Sequence, residues 1–169
     1  MNGLWPSTQD WISALSIIGP AYCANGAPVI FGGGLPIDFG KSLPDGNRIF
    51  GDNKTVRGFL SGLMVGAIVG VFGYTLFSKN LLPIAFLASL GALFGDLVGA
   101  FLKRRLKIKP GGAFPGVDQL DFVLGALLFV SPFYGIGWGA IAITLLVTPP
   151  IHFLTNVAAY FLGLKSAYW

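Results

Sequence analysis

FLSGLMVGAIVGVFGYTLF, from Phe59 to Phe77, carries no charged residue, and with the glycine before it sets Gly58, Gly62, Gly66 and Gly70 four residues apart. A helix needs about 20 predominantly apolar residues to cross a bilayer, and this run supplies them. Its glycines fall on one helical face, bare of side chains, where a second helix can approach closely. Trp11 to Phe31 and Leu81 to Leu102 are similar runs, the latter with its own ladder at Gly91, Gly95 and Gly99. Beyond Asp121 no formal charge appears until Lys165, room for two further spans, with Pro132, Gly135, Gly137 and Gly139 marking the turn between them. The reading is an all-α polytopic membrane protein: one integral membrane domain over 1–169 with five transmembrane helices near 11–31, 59–77, 81–102, 118–135 and 138–162. Cytoplasmic loops are expected near 36–57 and 103–117.

Composition agrees. The chain of 169 residues is 54% hydrophobic and 11% charged, and its mean hydropathy is +0.73. A soluble domain carries roughly 25% charged residues. Fifteen of the eighteen charged side chains lie in two stretches, Asp38 to Arg57 and Asp96 to Asp121; only Asp10, Lys79 and Lys165 lie elsewhere. Ten of the eleven Lys and Arg residues, in the two stretches and at Lys165, fall on one side of the five-span arrangement, and Lys79 alone of them falls on the other. Because basic loops stay in the cytoplasm, the N-terminus is expected outside and the C-terminus inside a cell membrane, with both charged stretches facing cytoplasmic nucleotides. This placement leaves membrane lipids as partners of the basic residues and implies no nucleic acid.

The first span has no basic region before it and no small-residue cleavage pattern after it, so it reads as part of the mature protein. Pro20, Asn25 and Pro28 inside it imply a kinked or broken helix. Cys23 is the one cysteine, which excludes an intrachain disulfide, and reads as a small buried side chain. Trp5, Trp11, Trp138 and Trp169 read as interfacial anchors. His152, after Pro149 and Pro150, reads as structural. The glycine ladders suit packing within the chain and contact with a second copy equally well, so a homodimer stays open.

A carboxylate inside an apolar helix is costly and points to function, which singles out Asp96. Lys103 lies seven residues on, nearly on the same face and about 10 Å nearer the cytoplasm; the bland alternative is an Asp96–Lys103 ion pair. Asp118 and Asp121 share one helical face at the start of the fourth span. Three carboxylates therefore converge among cations. With seven Asp, no Glu and one His, the donors suit magnesium or manganese rather than zinc, copper or iron. Magnesium held by one or two carboxylates completes its shell with water and substrate phosphates, for which neighbouring Lys and Arg are natural partners.

GDNKTVRG, from Gly51 to Gly58, sets Asn53, Lys54, Thr55 and Arg57 just before a helix start, where backbone amides favour anions. The spacing is not that of a P-loop, since Asp52 and Asn53 intervene between Gly51 and Lys54. Asn53-Lys54-Thr55 matches a glycosylation sequon, but the basic excess places it in the cytoplasm. Arg105, Lys107 and Lys109 read as attraction to anionic headgroups, at about 1 kcal/mol each. Asp38, Lys41, Asp45 and Arg48 read equally as a solvated loop or as lining of the site.

GDNKTVRG, GDLVGAFLKR (Gly95 to Arg104) and IKPGGAFPGVDQLDF (Ile108 to Phe122) together resemble, in that order, three elements of the membrane CTP-dependent phosphatidate cytidylyltransferase superfamily. The short chain, the early DGNRIFGDNKT run from Asp45 and the PGVDQLD variant from Pro115 are similar to its archaeal branch, the CDP-archaeol synthases. The resemblance covers about residues 25 to 130. Asp52 stands where the bacterial pattern has Ser-Pro, and Arg57 where it has Glu. PGVDQLDF lacks the His-Gly-Gly run and the final Arg; Asp121 aligns with the last Asp of the bacterial element, whereas Asp118 has no clear counterpart.

The resemblance implies transfer of a cytidylyl group from CTP to a prenyl ether lipid phosphate, giving CDP-archaeol and pyrophosphate with one or two magnesium ions, or manganese in their place. It implies Asp96, Asp121 and Lys103 as catalytic residues. Asp96, Asp121 and Asp118 would hold the metal, and Asn53, Lys54, Thr55, Arg57, Arg104 and Asp118 would bind CTP and its phosphates. A bacterial-type phosphatidate cytidylyltransferase and a small transporter or channel are the alternatives. The CDP-alcohol phosphotransferases share only the opening of their motif, at Asp45-Gly46.

Overall fold

A computed structural model describes residues 6–77, 81–165 and 167; Trp5, Trp169 and Lys79 lie outside the described residues. Five helices follow one another: α1 (Thr8–Phe31), α2 (Val56–Phe77), α3 (Leu81–Arg105), α4 (Val117–Val130) and α5 (Trp138–Phe161). Four of them, all but α4, are long and apolar enough to cross a membrane.

Local chemistry sets the ends. Ser7 and Asp10 form a reciprocal capping box that starts α1 ahead of Trp11. Thr55 Oγ1 accepts from the Gly58 amide and starts α2 three residues before Phe59. Basic side chains favour a helix C-terminus, and α3 continues through Lys103, Arg104 and Arg105. The fourth helix stops at Val130, short of the expected 135, because Pro132 cannot continue it. At 14 residues it is about 21 Å long, less than the roughly 30 Å hydrocarbon layer.

The glycine ladders hold the bundle together. Methyl groups on Gly62 and Gly66 would lie 2.6 Å from Ala24 O and 1.9 Å from Ser89 Oγ, and one on Gly70 would lie 2.5 Å from Ala85 Cβ. The α2 stripe is therefore filled by α1 and α3 of the same chain. Gly91 and Gly95 meet Gly125 and Asp121 backbone atoms at 2.4 and 2.1 Å in the same sense, so α3 and α4 touch backbone to backbone. Both stripes are consumed inside the molecule. These contacts run α2 antiparallel to α1 and α3, and α4 antiparallel to α3, while Tyr22 Oη donates to Thr148 O at 2.9 Å and α5 runs parallel to α1. Phe122, Val123, Ala126 and Val130 form the core with Ile17, Ala21, Ala88 and Ala92.

Two sequence expectations are revised here. Of the kinked or broken first helix expected at Pro20, Asn25 and Pro28, the broken form does not occur, since α1 runs through all three. Pro28 leaves Ala24 O without its helical donor, and that oxygen faces bare Gly62, where a glycine surface leaves room for the freed carbonyl. Cys23 is exposed on the outer face of α1 rather than buried, because the bundle packs the neighbouring Ala21, Ala24 and Ala27 instead. The last helix, α5, likewise runs through Pro149 and Pro150, with His152 inside it.

Candidate active site

Residues 32–55, between α1 and α2, form an ordered loop folded against the end of α3. Asp38, 4% exposed, accepts from the Gly40, Phe50 and Gly51 amides and from the Arg48 guanidinium. Burial pushes its carboxyl up, but the Arg48 and amide hydrogen bonds outweigh burial and hold it well below the usual carboxylate range. Arg105 grips the same loop, donating to Asp45, Asn47 O and Arg48 O while stacking on Phe101 at 5.2 Å. This corrects the reading of Arg105 as a lipid-attracting charge; Lys107 and Lys109 are exposed. The part of the loop around Asp38, Asp45 and Arg48 is not loosely solvated: its hydrogen bonds fix where GDNKT lies.

Fixed in this way, Lys54 reaches across to α3, and its Nζ lies 2.7 and 2.5 Å from the two Asp96 oxygens. A second pair forms beside it, with Lys103 Nζ at 2.8 Å from both oxygens of Asp118. Asp118 also accepts from the Phe114 amide at 2.8 Å, which ties the 106–116 loop to the start of α4. The bland alternative, an Asp96–Lys103 pair, does not form; instead the arrangement is crossed, and each carboxylate takes a lysine from another segment. Sequence spacing within α3 could not show this, since Lys54 and Asp118 lie on other elements.

Asp121 occupies the place the glycines leave open. A methyl group on Gly99 would lie 1.9 Å from its Oδ2, so the carboxylate lies flat on the α3 ladder one helical step from Asp96. Its one hydrogen bond among the described residues comes from the Phe122 amide at 2.6 Å. The charges of Asp96, Lys54 and Asp118 all reach it. Arg104 is 8% exposed, packs beside Gly51 and has a buried Nε with no partner.

Other expected residues have local duties. Thr55 is buried and caps α2. Arg57 turns away and donates to Phe31 O at 2.8 Å and to Gly32 O, closing the end of α1; Asn53 is exposed on the turn before Lys54. The sequence reading missed Asp38 and Arg105 as scaffold, and it missed Asn156, whose signal was a buried amide in an apolar helix.

Oxygen is the only donor type in the cluster, which fits a hard cation. Among the described residues no three Asp, His or Cys side chains are gathered closely enough to hold an ion unaided; Asp96 and Asp118 each face a lysine, and Asp118 is further tied to the Phe114 amide. A magnesium ion would therefore draw on Asp96 and Asp121 and share its remaining positions with water and substrate phosphates, its ordinary arrangement.

Residues 11–169 match the family model described as CarS-like, CDP-archaeol synthase. A relative from Pyrococcus furiosus named CDP-archaeol synthase is 50% identical over 94% of this chain and 98% of its own. Another of that name from Methanococcus maripaludis is 44% identical over 93% and 96%. A solved structure described as an intramembrane enzyme for archaeal membrane lipids biosynthesis superposes with a TM-score of 0.79 at 38% identity, covering 85% of this chain and 92% of its own. On these matches the chain belongs to the CDP-archaeol synthase family.

Proposed function

We propose that the protein transfers the cytidylyl group of CTP to a glycerol phosphate bearing two geranylgeranyl ether chains, forming CDP-archaeol and pyrophosphate. The observation that carries this is the crossed pair Lys54–Asp96 and Lys103–Asp118, with Asp121 between them on the glycine face. Two lysines already held by carboxylates can pass to phosphates when a polyanion arrives. Arg104, whose buried Nε has no partner among the described residues, is a third phosphate contact, and Asn53 reaches the nucleotide from the exposed turn. Thr55 and Arg57 hold that turn in shape. An apolar groove of about 270 Å³, lined by Ile37, Val56, Phe59, Leu60, Phe94 and Leu97, lies two residues from Lys54 and from Asp96 in the chain and suits a prenyl tail.

In the reaction, an oxygen of the lipid phosphate attacks the α-phosphorus of CTP in line as the bond to pyrophosphate breaks. A phosphate monoester, with its second pKa near 6, is already largely dianionic, so the nucleophile needs no strong base. Lys54, Lys103 and Arg104 bring two polyanions together and stabilise charge on the departing pyrophosphate. Asp96 and Asp121 would hold magnesium, for which manganese can substitute; it neutralises charge on the triphosphate when bound.

The topology follows the same logic. Asp10, at the start of α1, lies against Gly137 and Gly139, so α4 together with 131–137 returns the chain to the level where α1 began. That supports five crossings, an external N-terminus and a site on the cytoplasmic face of the cell membrane.

Purified protein given labelled CTP, magnesium and the ether lipid phosphate is expected to release pyrophosphate and label the lipid. Transport predicts neither product, and preference for phosphatidate would overturn the ether-lipid assignment. Asp96→Asn and Asp121→Asn with near wild-type turnover would refute the metal role.

A further inference from the structure

The chain turns back on itself after α5. Gly163 adopts a left-handed φ of 71°, its amide donates to Tyr160 O, and the Leu164 and Lys165 amides donate to Ala159 O. Glycine in this conformation is the usual way to stop a helix and reverse the chain. The reversal lays Lys165 back along α5, where its Nζ donates to Asn156 Oδ1 at 2.8 Å. Asn156 is 8% exposed, and its amide nitrogen lies 3.4 Å from His152 Nδ1. An amide buried in an apolar helix is costly without partners, and here its oxygen is used to hold an ammonium.

That ammonium is held beside the site. A cavity of about 50 Å³ is lined by His152 and Asn156 on one side and by Pro115, Asp118 and Gln119 on the other, and Asp118 carries Lys103. Burial lowers the Lys165 pKa first; Lys54 and Lys103 press in the same direction, while Asp118 and Asp96 act against them. All five groups therefore share one electrostatic neighbourhood. An ammonium has three donors, and Asn156 engages one.

We propose that Lys165, held by Asn156, is a further phosphate-binding residue of the site, closing from the C-terminal side the cradle that Lys54 and Lys103 begin. Its ligand is a phosphate group, supplied by CTP or by the lipid. The identity of those two substrates rests on the reading given above.

The test uses the full chain in detergent, with equilibrium binding of magnesium–CTP and of the ether lipid phosphate measured separately, alongside steady-state synthesis. Lys165→Met is expected to weaken one of the two by about 10-fold or more, the size of a lost charge-assisted hydrogen bond. Lys165→Arg should restore most of the affinity, and Asn156→Leu should weaken the same ligand. Loss confined to CTP assigns the nucleotide, and loss confined to the lipid assigns its phosphate. Unchanged affinity for both in Lys165→Met, or no rescue by Arg, overturns the proposal. A wild-type chain that binds both yet makes no CDP-lipid overturns the proposed reaction and leaves the binding arms to decide this residue; one that binds neither overturns both.

Discussion

Lys54 and Asp96, 42 residues apart in the chain, meet with the lysine Nζ against both carboxylate oxygens at 2.7 and 2.5 Å. One comes from a loop and the other from within an apolar helix, so the pair pins the loop onto the bundle while keeping an ammonium and a carboxylate ready for separate uses. In the absence of substrate each neutralises the other. In the proposed reaction, phosphates would give the lysine a better partner and a metal ion would give the carboxylate one, and the energy of the pair would be recovered in the new contacts.

Removing either member should therefore stop catalysis for different reasons. Asp96→Asn and Lys54→Met are each expected to lower CDP-lipid synthesis by about 100-fold or more, on the scale of losing one preorganised charge. The double variant should lose much less than the product of the two, because the residues act as a coupled pair. Additive losses in steady-state rates would show that the two work independently.

The glycine ladder of α3 separates packing from chemistry within a single helix. A methyl group at Gly95 would strike the Asp121 backbone carbonyl at 2.1 Å, whereas one at Gly99 would strike the Asp121 side chain, with Oδ2 at 1.9 Å and Cγ at 2.9 Å. A backbone cannot move aside, but a carboxylate can rotate. Gly95→Ala should cost about 1–3 kcal/mol of stability through forced separation of α3 and α4. Gly99→Ala should keep the melting temperature close to wild type and lose activity. Thermal melts and synthesis assays on the two variants check this, and equal effects on both measures would refute it.

The sequence made the helices legible because an apolar run of bilayer length has few alternatives, and the ladders at Gly58 to Gly70 and Gly91 to Gly99 pointed to close packing before their partners were known. It also marked Asp96, Lys103, Asp118 and Asp121 as one polar group. The pairing among them was hidden, since Lys54 reaches Asp96 only because Asp38 organises a loop whose contacts lie ten to thirteen residues apart. Whether Pro20 and Pro28 break the helix was hidden for a similar reason: the cost of a proline depends on what faces the freed carbonyl, and Gly62 belongs to another helix. Lys165 looked like an ordinary tail charge, because only the Gly163 turn brings it back to Asn156.

Adjacent arginines at the end of α3 should behave oppositely. Arg105 is engaged with Asp45 and two carbonyls, so Arg105→Ala releases the loop and should lower the melting temperature and activity together. Arg104 is buried with an unpartnered Nε, and a buried charge without a partner destabilises. Arg104→Met should therefore leave the substrate-free protein at least as stable as wild type while raising the KM for a phosphate-bearing substrate. A fall in stability for Arg104→Met would show that the guanidinium serves the fold instead.

Asp38 gives the loop an acid limit. Its folded pKa lies below the unfolded value of about 3.9, so the native state binds fewer protons there than the unfolded chain. The resulting stabilisation is complete above about pH 5 and is lost as the pH falls below about 4 toward the folded value. Asp38→Ala removes the acceptor for three amides and Arg48, and it should cost about 3 kcal/mol at neutral pH, the lower end for breaking a buried pair. Its melting temperature should then fall less steeply below pH 4 than that of the wild type. Parallel acid-side slopes in the two proteins would show that other carboxylates, and not Asp38, set the acid limit.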